Sequence, residues 1–273
     1  MEEKIETPPE PLIIVHALHR TGSTAMHRFI RSNVGGKYIS HRHLLINRWH
    51  KSYSLPGKML IEEHGKENWK VVHLVRDLVA RNLSHFWTND FLRNVMPAIP
   101  DLSTFKERFL DELDHYYGMY FIGREIEPFW EIEIPYLRGF QPPYTVYDGR
   151  LAIMRYEDFD CRDDLLRNFL GAEPKFEPQR IQCSGKVGET NDYKEILNTI
   201  RLPARYVDLM YTSLYMRTFY SMEEIGILKE RWTKGVKADH PIIQKQEAIR
   251  DAHDPETCPV CVDYRKRREG KPR

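Results

Sequence analysis

The sequence predicts an α/β fold in which a central parallel sheet is flanked by helices. Two apolar runs of strand length, residues 12–18 and 70–75, are each followed by apolar residues at helical spacing. A further strand is predicted to begin near Lys37, between these two runs. Strands that alternate with helices near the start of a chain are typical of a parallel sheet wound with helices.

The remaining elements follow from local patterns. Asp148-Gly149 lies between two strand-like segments and predicts a hairpin over 144–147 and 151–154, because Asp-Gly favours a tight turn. Apolar residues at helical spacing predict the helices. Five helices are expected: from Ser23 to about Gly35, from Leu78 through Phe86, and over 58–64, 101–127 and 162–170. One last helix is expected to carry an apolar stripe made of Val207, Met210, Tyr211, Leu214, Tyr215, Phe219 and Met222.

Length and composition predict one domain followed by a tail. At 273 residues the chain is long enough to bury a substantial core. Residues 1–10 are acidic and rich in proline, which predicts a disordered lead-in and not a signal peptide. Residues 11–231 are expected to form the α/β domain. Residues 232–273 are charged and poor in apolar side chains, and we expect a C-terminal tail there.

Charge and cysteine content narrow the classes of partner. A net charge of +1 argues against nucleic acid or a membrane surface as a bulk electrostatic partner, so any anion site must be local. No apolar run approaches the roughly 18 residues of a membrane helix. The 4 cysteines are too few and too scattered for a disulfide framework, so the expected compartment is the reducing cytoplasm. The oligomeric state is left open.

A polar loop over residues 19–24 joins the first predicted strand to the first helix. Free N–H groups and the positive end of the helix dipole make such a loop favourable for an anion, most often a phosphate. It is not a Walker A loop, because Ser23 stands in place of the lysine that follows the second glycine of that motif. The nearby cation is Arg20. The same pattern also occurs as an ordinary turn in α/β proteins.

Two other places could bind an anion. Arg76 ends an apolar strand, where α/β sheets bind ligands, and Ser84 follows two helical turns later. A guanidinium fork with a hydroxyl suits a phosphate monoester, although a surface Arg at a strand end is an equally ordinary feature. Lys186 and Gly188 lie in a glycine-containing loop that could close over a phosphate or could simply be an ordinary loop.

Taken together, these three motifs resemble those of the sulfotransferases that use 3′-phosphoadenosine 5′-phosphosulfate (PAPS). The family's 5′-phosphosulfate loop reads basic-[Ser/Thr]-Gly-[Ser/Thr]-Thr, and its 3′-phosphate site is a strand ending in Arg with a Ser eight residues later. A Tyr-Glu-Asp after a later strand is frequent, and 156–158 match it. The family's closing loop, Arg-Lys-Gly-x-x-Gly-Asp-Trp-Lys, is matched only in part by 186–188 and 192–194, where Asn191 replaces the second glycine. The resemblance spans about residues 11–225, and in detail it is closest to the bacterial carbohydrate or capsular polysaccharide type.

The resemblance implies a P-loop-like, phosphosulfate-binding strand–loop–helix and a donor that is PAPS, with no metal. The acceptor is expected to be a carbohydrate or another small hydroxyl compound, or an amine. Arg20 would also be catalytic, since it could stabilise charge on the departing 5′-phosphate. The donor-binding residues that the resemblance implies are Arg20, Thr21, Gly22, Ser23, Thr24, Arg76, Ser84, Lys186 and Gly188.

The general base is left open between histidine and glutamate. In cytosolic sulfotransferases it is a His followed by Leu between the two phosphate motifs, and His43 occupies that place, with His41 two residues earlier. Carbohydrate sulfotransferases often use Glu, for which Glu62 or Glu63 is available. The chain has 12 histidines, and any one of them is more often structural.

Two other functions compete with this one. A small P-loop kinase is disfavoured because the Walker lysine is absent and the second buried strand ends in Arg76, not in an Asp that would hold Mg²⁺. A non-catalytic nucleotide-binding module would keep the fold without a base. A closed zinc site needs four ligands, and Cys258 and Cys261 with His253 supply only three. The two cysteines also lack the surroundings of a redox pair. We expect them to lie in the tail.

Overall fold

The computed structural model describes residues 11–34, 39–42, 57–64, 68–91, 102–113, 115, 118–119, 139–175 and 191–234. These residues separate into two compact units. The first unit contains the described residues up to Asp77 together with 139–175. The second unit contains those from Leu78 to 119 together with 191–234.

The first unit is built on one five-stranded sheet in the order β2-β1-β3-β5-β4. Strands β2, β1, β3 and β5 are parallel, and β4 pairs antiparallel with β5 at the edge. The predicted α/β class is therefore confirmed, with a mixed sheet whose parallel part has four strands. The strands are β1 Leu12–Ala17, β2 Ile39–Arg42, β3 Trp69–Val75, β4 Tyr144–Tyr147 and β5 Leu151–Arg155.

The predicted hairpin joins β4 to β5. Asp148 and Gly149 both have positive φ, 49° and 64°, as a primed two-residue turn requires. Gly149 suits this turn because it adopts left-handed backbone without a steric penalty.

The helices in the described part of the chain follow the predicted periodicity in most places. Residues Phe86–Phe91 and Leu166–Leu170 continue the preceding helices as π-helical turns, and Tyr156–Cys161 forms a 3₁₀ turn. The α-helices are α1 Ser23–Val34, α2 Gly57–His64, α3 Leu78–His85, α4 Leu102–Glu112, α5 Arg162–Leu165, α6 Asn191–Thr199, α7 Ala204–Tyr211, α8 Leu214–Phe219 and α9 Met222–Thr233.

One face of the sheet packs against α1 and the segment 162–170. Successive residues of a strand point to opposite faces, so alternate positions of β1, β3 and β5 supply this layer. Burial of apolar side chains here is the main favourable term in the folding of the first unit. The buried cluster comprises Ile13, Val15, Ala17, Met26, Phe29, Ile30, Val72, Leu74, Ala152, Met154, Leu165, Leu166 and Phe169.

The second unit has an aromatic core. Phe86 lies edge-on to both Phe105 and Phe109, with ring centroids 5.3 and 5.7 Å away. Trp232 is fully buried, and its Nε1–H donates to the Tyr211 hydroxyl at 2.9 Å. A buried indole is tolerated where its N–H has an acceptor, and Tyr211 supplies one.

Among the residues that the structure describes, the predicted helix over 101–127 is wrong beyond Glu112, and residues 120–127 lie outside the described ranges. Helix α4 ends there, and Leu113, His115, Gly118 and Met119 lie in bends and turns. The physical reason is the side chain of His115, whose Nε2 lies 2.8 Å from the carbonyl oxygen of Phe109. That carbonyl is one of the last four of the helix, which have no partner within the helix, so the imidazole caps the end.

The prediction of one helix from Val207 to Met222 is also wrong. Ser213 accepts a hydrogen bond from the Met216 N–H and starts α8, and Ser221 and Glu224 form a reciprocal capping box that starts α9. Leu214 is 40% exposed and Met222 72% exposed, so neither belongs to a buried stripe. Helix α9 continues to Thr233, and the predicted domain end at 231 falls in its last turn.

Candidate anion-binding site

The loop between β1 and α1 has an unusual backbone. Arg20 and Gly22 both have positive φ, 72° and 81°, with Thr21 between them. A run of backbone in which left-handed residues alternate with others can form a concave cluster of N–H groups that favours an anion. Left-handed backbone is costly for a residue with a Cβ, so the loop holds Arg20 in a strained conformation.

Local hydrogen bonds fix this loop. The Thr21 hydroxyl donates to the Leu18 carbonyl at 2.7 Å, and the Gly22 carbonyl accepts the Met26 N–H at 3.0 Å, which is the first bond of α1. Thr21 and Ser23 are buried, whereas Thr24 is exposed. The first turn of α1 carries no acidic residue, so the positive end of its dipole is not neutralised from within the helix.

Arg76 reaches this loop from the end of β3. Its Nη1 donates to the carbonyl oxygen of Arg20 at 2.8 Å. Strands β1 and β3 are parallel and in register, with Ala17 opposite Leu74, so the segments after both strands leave the sheet at the same edge. The structure therefore brings Arg76, from the second predicted anion-binding motif, to Arg20 in the loop of the first, 56 residues away in the chain.

The turn after β5 contacts both of these segments. The Arg76 guanidinium lies over the ring of Tyr156, with its Cζ 4.4 Å from the ring centroid. A carboxylate oxygen of Glu157 accepts the backbone N–H of Asp77 at 3.0 Å. Asp158 forms an ion pair with Arg155, which is buried at the end of β5. Sequence reasoning noted the Tyr-Glu-Asp run only as part of the resemblance, and it missed these contacts.

The structure places the other predicted site residues in α2, α3 and β2 or does not describe them. Ser84 lies half-buried in α3 of the second unit, and its carbonyl accepts the Thr88 hydroxyl at 3.0 Å. Arg76 and Ser84 thus belong to different units. His41 lies in β2, opposite Val15 in the backbone ladder. Glu62 and Glu63 lie in α2, and the Glu62 side chain is exposed. The predicted positions outside the described residues are His43, Lys186, Gly188, Cys258 and Cys261.

Sequence reasoning also missed a pair of histidines inside the sheet. His16 of β1 and His73 of β3 are in register, both are buried, and their Nδ1 atoms lie 3.0 Å apart. One Nδ1 must donate and the other must accept. At least one of the two rings is therefore neutral, because two protonated rings would have no acceptor. Burial lowers the pKa of His73 to about 3, and a hydrogen bond with the His16 backbone opposes that shift. The signal in the sequence was a single His within each apolar strand.

No helix in the described ranges is both long and apolar enough to cross a membrane. When the chain is compared with protein-family models, with curated proteins and with solved structures, it matches none of them.

Proposed function

We propose that the chain is a sulfotransferase that moves a sulfuryl group from PAPS to the hydroxyl or amine of a carbohydrate or another small molecule. The observation that supports this most is the hydrogen bond from Arg76 to the carbonyl of Arg20. It joins the loop that resembles a 5′-phosphosulfate site to the arginine that resembles a 3′-phosphate ligand. A donor that carries both groups could span these two places. The reducing cytoplasm remains part of the proposal, as the cysteine content favours it.

The reaction needs little beyond positioning and charge stabilisation. The acceptor oxygen or nitrogen forms a bond to sulfur, the bond from sulfur to the bridging oxygen of the 5′-phosphate breaks, and 3′-phosphoadenosine 5′-phosphate leaves. The acceptor proton passes to a general base. The N–H groups of the loop and the Arg20 guanidinium are assigned to the charge that develops on the bridging oxygen, where one donor is worth about 3 kcal/mol.

The general base stays a choice among four residues. His43 has the position that the resemblance favours, His41 lies in β2, and Glu62 and Glu63 lie in α2. The pH dependence of turnover separates the two types of base. Activity should fall below about pH 6.5 for an imidazole and only near about pH 4.3 for a carboxylate.

The first test is binding of the product nucleotide. We expect 3′-phosphoadenosine 5′-phosphate to raise the thermal midpoint of the protein without any metal, because Ser23 stands where a kinase has the lysine that reaches the β and γ phosphates of ATP. At a hundredfold excess over Kd, such a ligand stabilises the folded state by about 2.7 kcal/mol. Differential scanning fluorimetry with and without a chelator measures this shift.

ATP with Mg²⁺ is the matched comparison. Stabilisation by ATP–Mg²⁺ equal to that by the bisphosphate would favour the kinase interpretation instead. Binding of the bisphosphate, with no transfer of label from PAPS to any of a panel of carbohydrate acceptors, would favour a non-catalytic nucleotide-binding module.

The second test removes the side chain of Arg20. Arg20→Asn is preferable to Arg20→Ala, because Asn tolerates the left-handed backbone found at this position. We expect kcat to fall by about a hundredfold or more while nucleotide affinity changes much less, since the guanidinium is assigned to charge that develops during transfer. Steady-state kinetics beside a binding titration separate the two effects. A rise in KM with kcat unchanged would make Arg20 a simple binding residue.

A further inference from the structure

We propose that Tyr156 is a positioning residue of the anion-binding site. Its ring holds the Arg76 guanidinium against the 19–24 loop, so that binding at the 5′-phosphate position depends on Arg76 even when a nucleotide has no 3′-phosphate. This inference rests on the proposed function and deepens it, because it couples the two phosphate positions through one aromatic side chain.

The register of the sheet places Tyr156 beside Arg76. Strands β3 and β5 are parallel, and Val75 lies opposite Arg155 at their ends. Arg76 and Tyr156 are the next residues of each chain segment, so they leave adjacent strands side by side. The pairing therefore follows from the strand order and does not depend on a flexible loop.

The ring of Tyr156 makes two different contacts. Its face supports the Arg76 guanidinium, at 4.4 Å from centroid to Cζ. Its edge lies on Gly22, where an added Cβ would come within 2.5 Å of the ring carbon Cδ2 and 2.7 Å of Cε2. One side chain thus contacts both the loop and the arginine that donates to the loop.

The hydrogen bond from Arg76 then has a consequence for the loop backbone. Its acceptor is the carbonyl of Arg20, the residue held at a φ of 72°. A guanidinium on that carbonyl helps to keep the strained residue in place, and with it the direction of the N–H groups that follow. A ring that fixes the guanidinium therefore acts on the 5′-phosphate position through Arg76.

The contact uses the π face of the ring and not its hydroxyl. A guanidinium over an aromatic face is attracted by the ring quadrupole, and phenylalanine supplies the same face. Tyr156→Phe is therefore the conservative variant, and Tyr156→Leu removes the aromatic face while leaving an apolar side chain. Arg76→Ala and the double variant complete a thermodynamic cycle that isolates the coupling.

The experiment titrates all four variants and the wild type by calorimetry with two ligands, 3′-phosphoadenosine 5′-phosphate and adenosine 5′-monophosphate. We expect Tyr156→Phe to bind both ligands within about twofold of wild type and Tyr156→Leu to bind both roughly tenfold more weakly. Arg76→Ala should weaken even the monophosphate, and adding Tyr156→Leu to it should cost nothing further. The same cycle on thermal midpoints without nucleotide tests the ring–guanidinium contact itself.

Three results would overturn the role of Tyr156: losses that add in the double variant, wild-type affinity in Tyr156→Leu, or monophosphate binding that Arg76→Ala leaves intact. Additive losses would mean that Tyr156 touches the nucleotide directly.

If Tyr156→Leu does not fold, Arg76→Lys serves instead, because its ammonium keeps the charge but has no planar group to stack. It should still lose monophosphate affinity. A wild type that binds neither nucleotide would refute the proposed function.

Discussion

Gly22→Ala should destabilise the first unit by about 3 kcal/mol or more and abolish nucleotide binding. Two costs combine at this position. Gly22 has a φ of 81°, and a left-handed residue with a Cβ costs about 1–2 kcal/mol. The new Cβ would also lie 2.5 Å from the Tyr156 ring, and forcing an extra methyl into a packed site typically costs about 1–3 kcal/mol. Urea unfolding measures the free energy, and calorimetry measures the binding.

Gly171→Ala is the matched control. Gly171 lies in the same unit with a φ of 70°, and an added Cβ there would meet nothing within 4 Å. It carries the backbone cost without the steric one, so we expect a loss of about 1–2 kcal/mol with nucleotide binding retained. Equal losses in the two variants, to within about 0.5 kcal/mol, would show that the Tyr156 ring moves aside freely.

The local parts of the site were predictable from the sequence, whereas its contacts were not. A buried strand, a polar loop and a helix start at Ser23 are consequences of neighbouring residues, and the structure has them within a residue or two. That Arg76 meets the Arg20 carbonyl depends on β3 lying beside β1 in register. No local pattern encodes which parallel strands become neighbours, so this contact was beyond the sequence.

Two errors in the helices have different causes. The break at Ser221 was visible in the sequence, because Ser221 and Glu224 have the spacing of a capping box, but the apolar stripe outweighed that signal. The end of α4 was not visible. It depends on His115 turning back to the Phe109 carbonyl while its Nδ1 lies 2.9 Å from the hydroxyl of Tyr206, and the contact with Tyr206 is a tertiary one.

His115 also predicts how the stability of the second unit depends on pH. The ring is fully buried between two partners: its Nε2–H donates to the Phe109 carbonyl, and its Nδ1 lies 2.9 Å from the Tyr206 hydroxyl, which must then donate to it. Burial lowers the pKa of His115 to about 4; hydrogen bonds to the Phe109 and Leu110 carbonyls oppose the shift, and the charge of Arg81 adds to it.

The sign follows from the two protonation states. In the unfolded chain the pKa of this histidine is about 6.5, so between about pH 6.5 and pH 4 the unfolded state binds a proton that the folded state excludes. The stabilisation is complete above pH 6.5 and is lost as the pH falls towards 4. At about 1.4 kcal/mol for each pKa unit, lowering the pH from 7 to 5 should cost the second unit about 2 kcal/mol through this residue.

Urea unfolding of His115→Gln and of wild type at pH 7 and pH 5 checks this. His115→Gln should reduce the loss on acidification by about 2 kcal/mol relative to wild type. The difference between the two pH values is the readout, because His115→Gln will also lower stability at both through weaker packing against Tyr206. An acid loss in His115→Gln equal to that of wild type would mean that the folded protein accepts the proton, and the Tyr206 hydroxyl would then have to turn away from Nδ1.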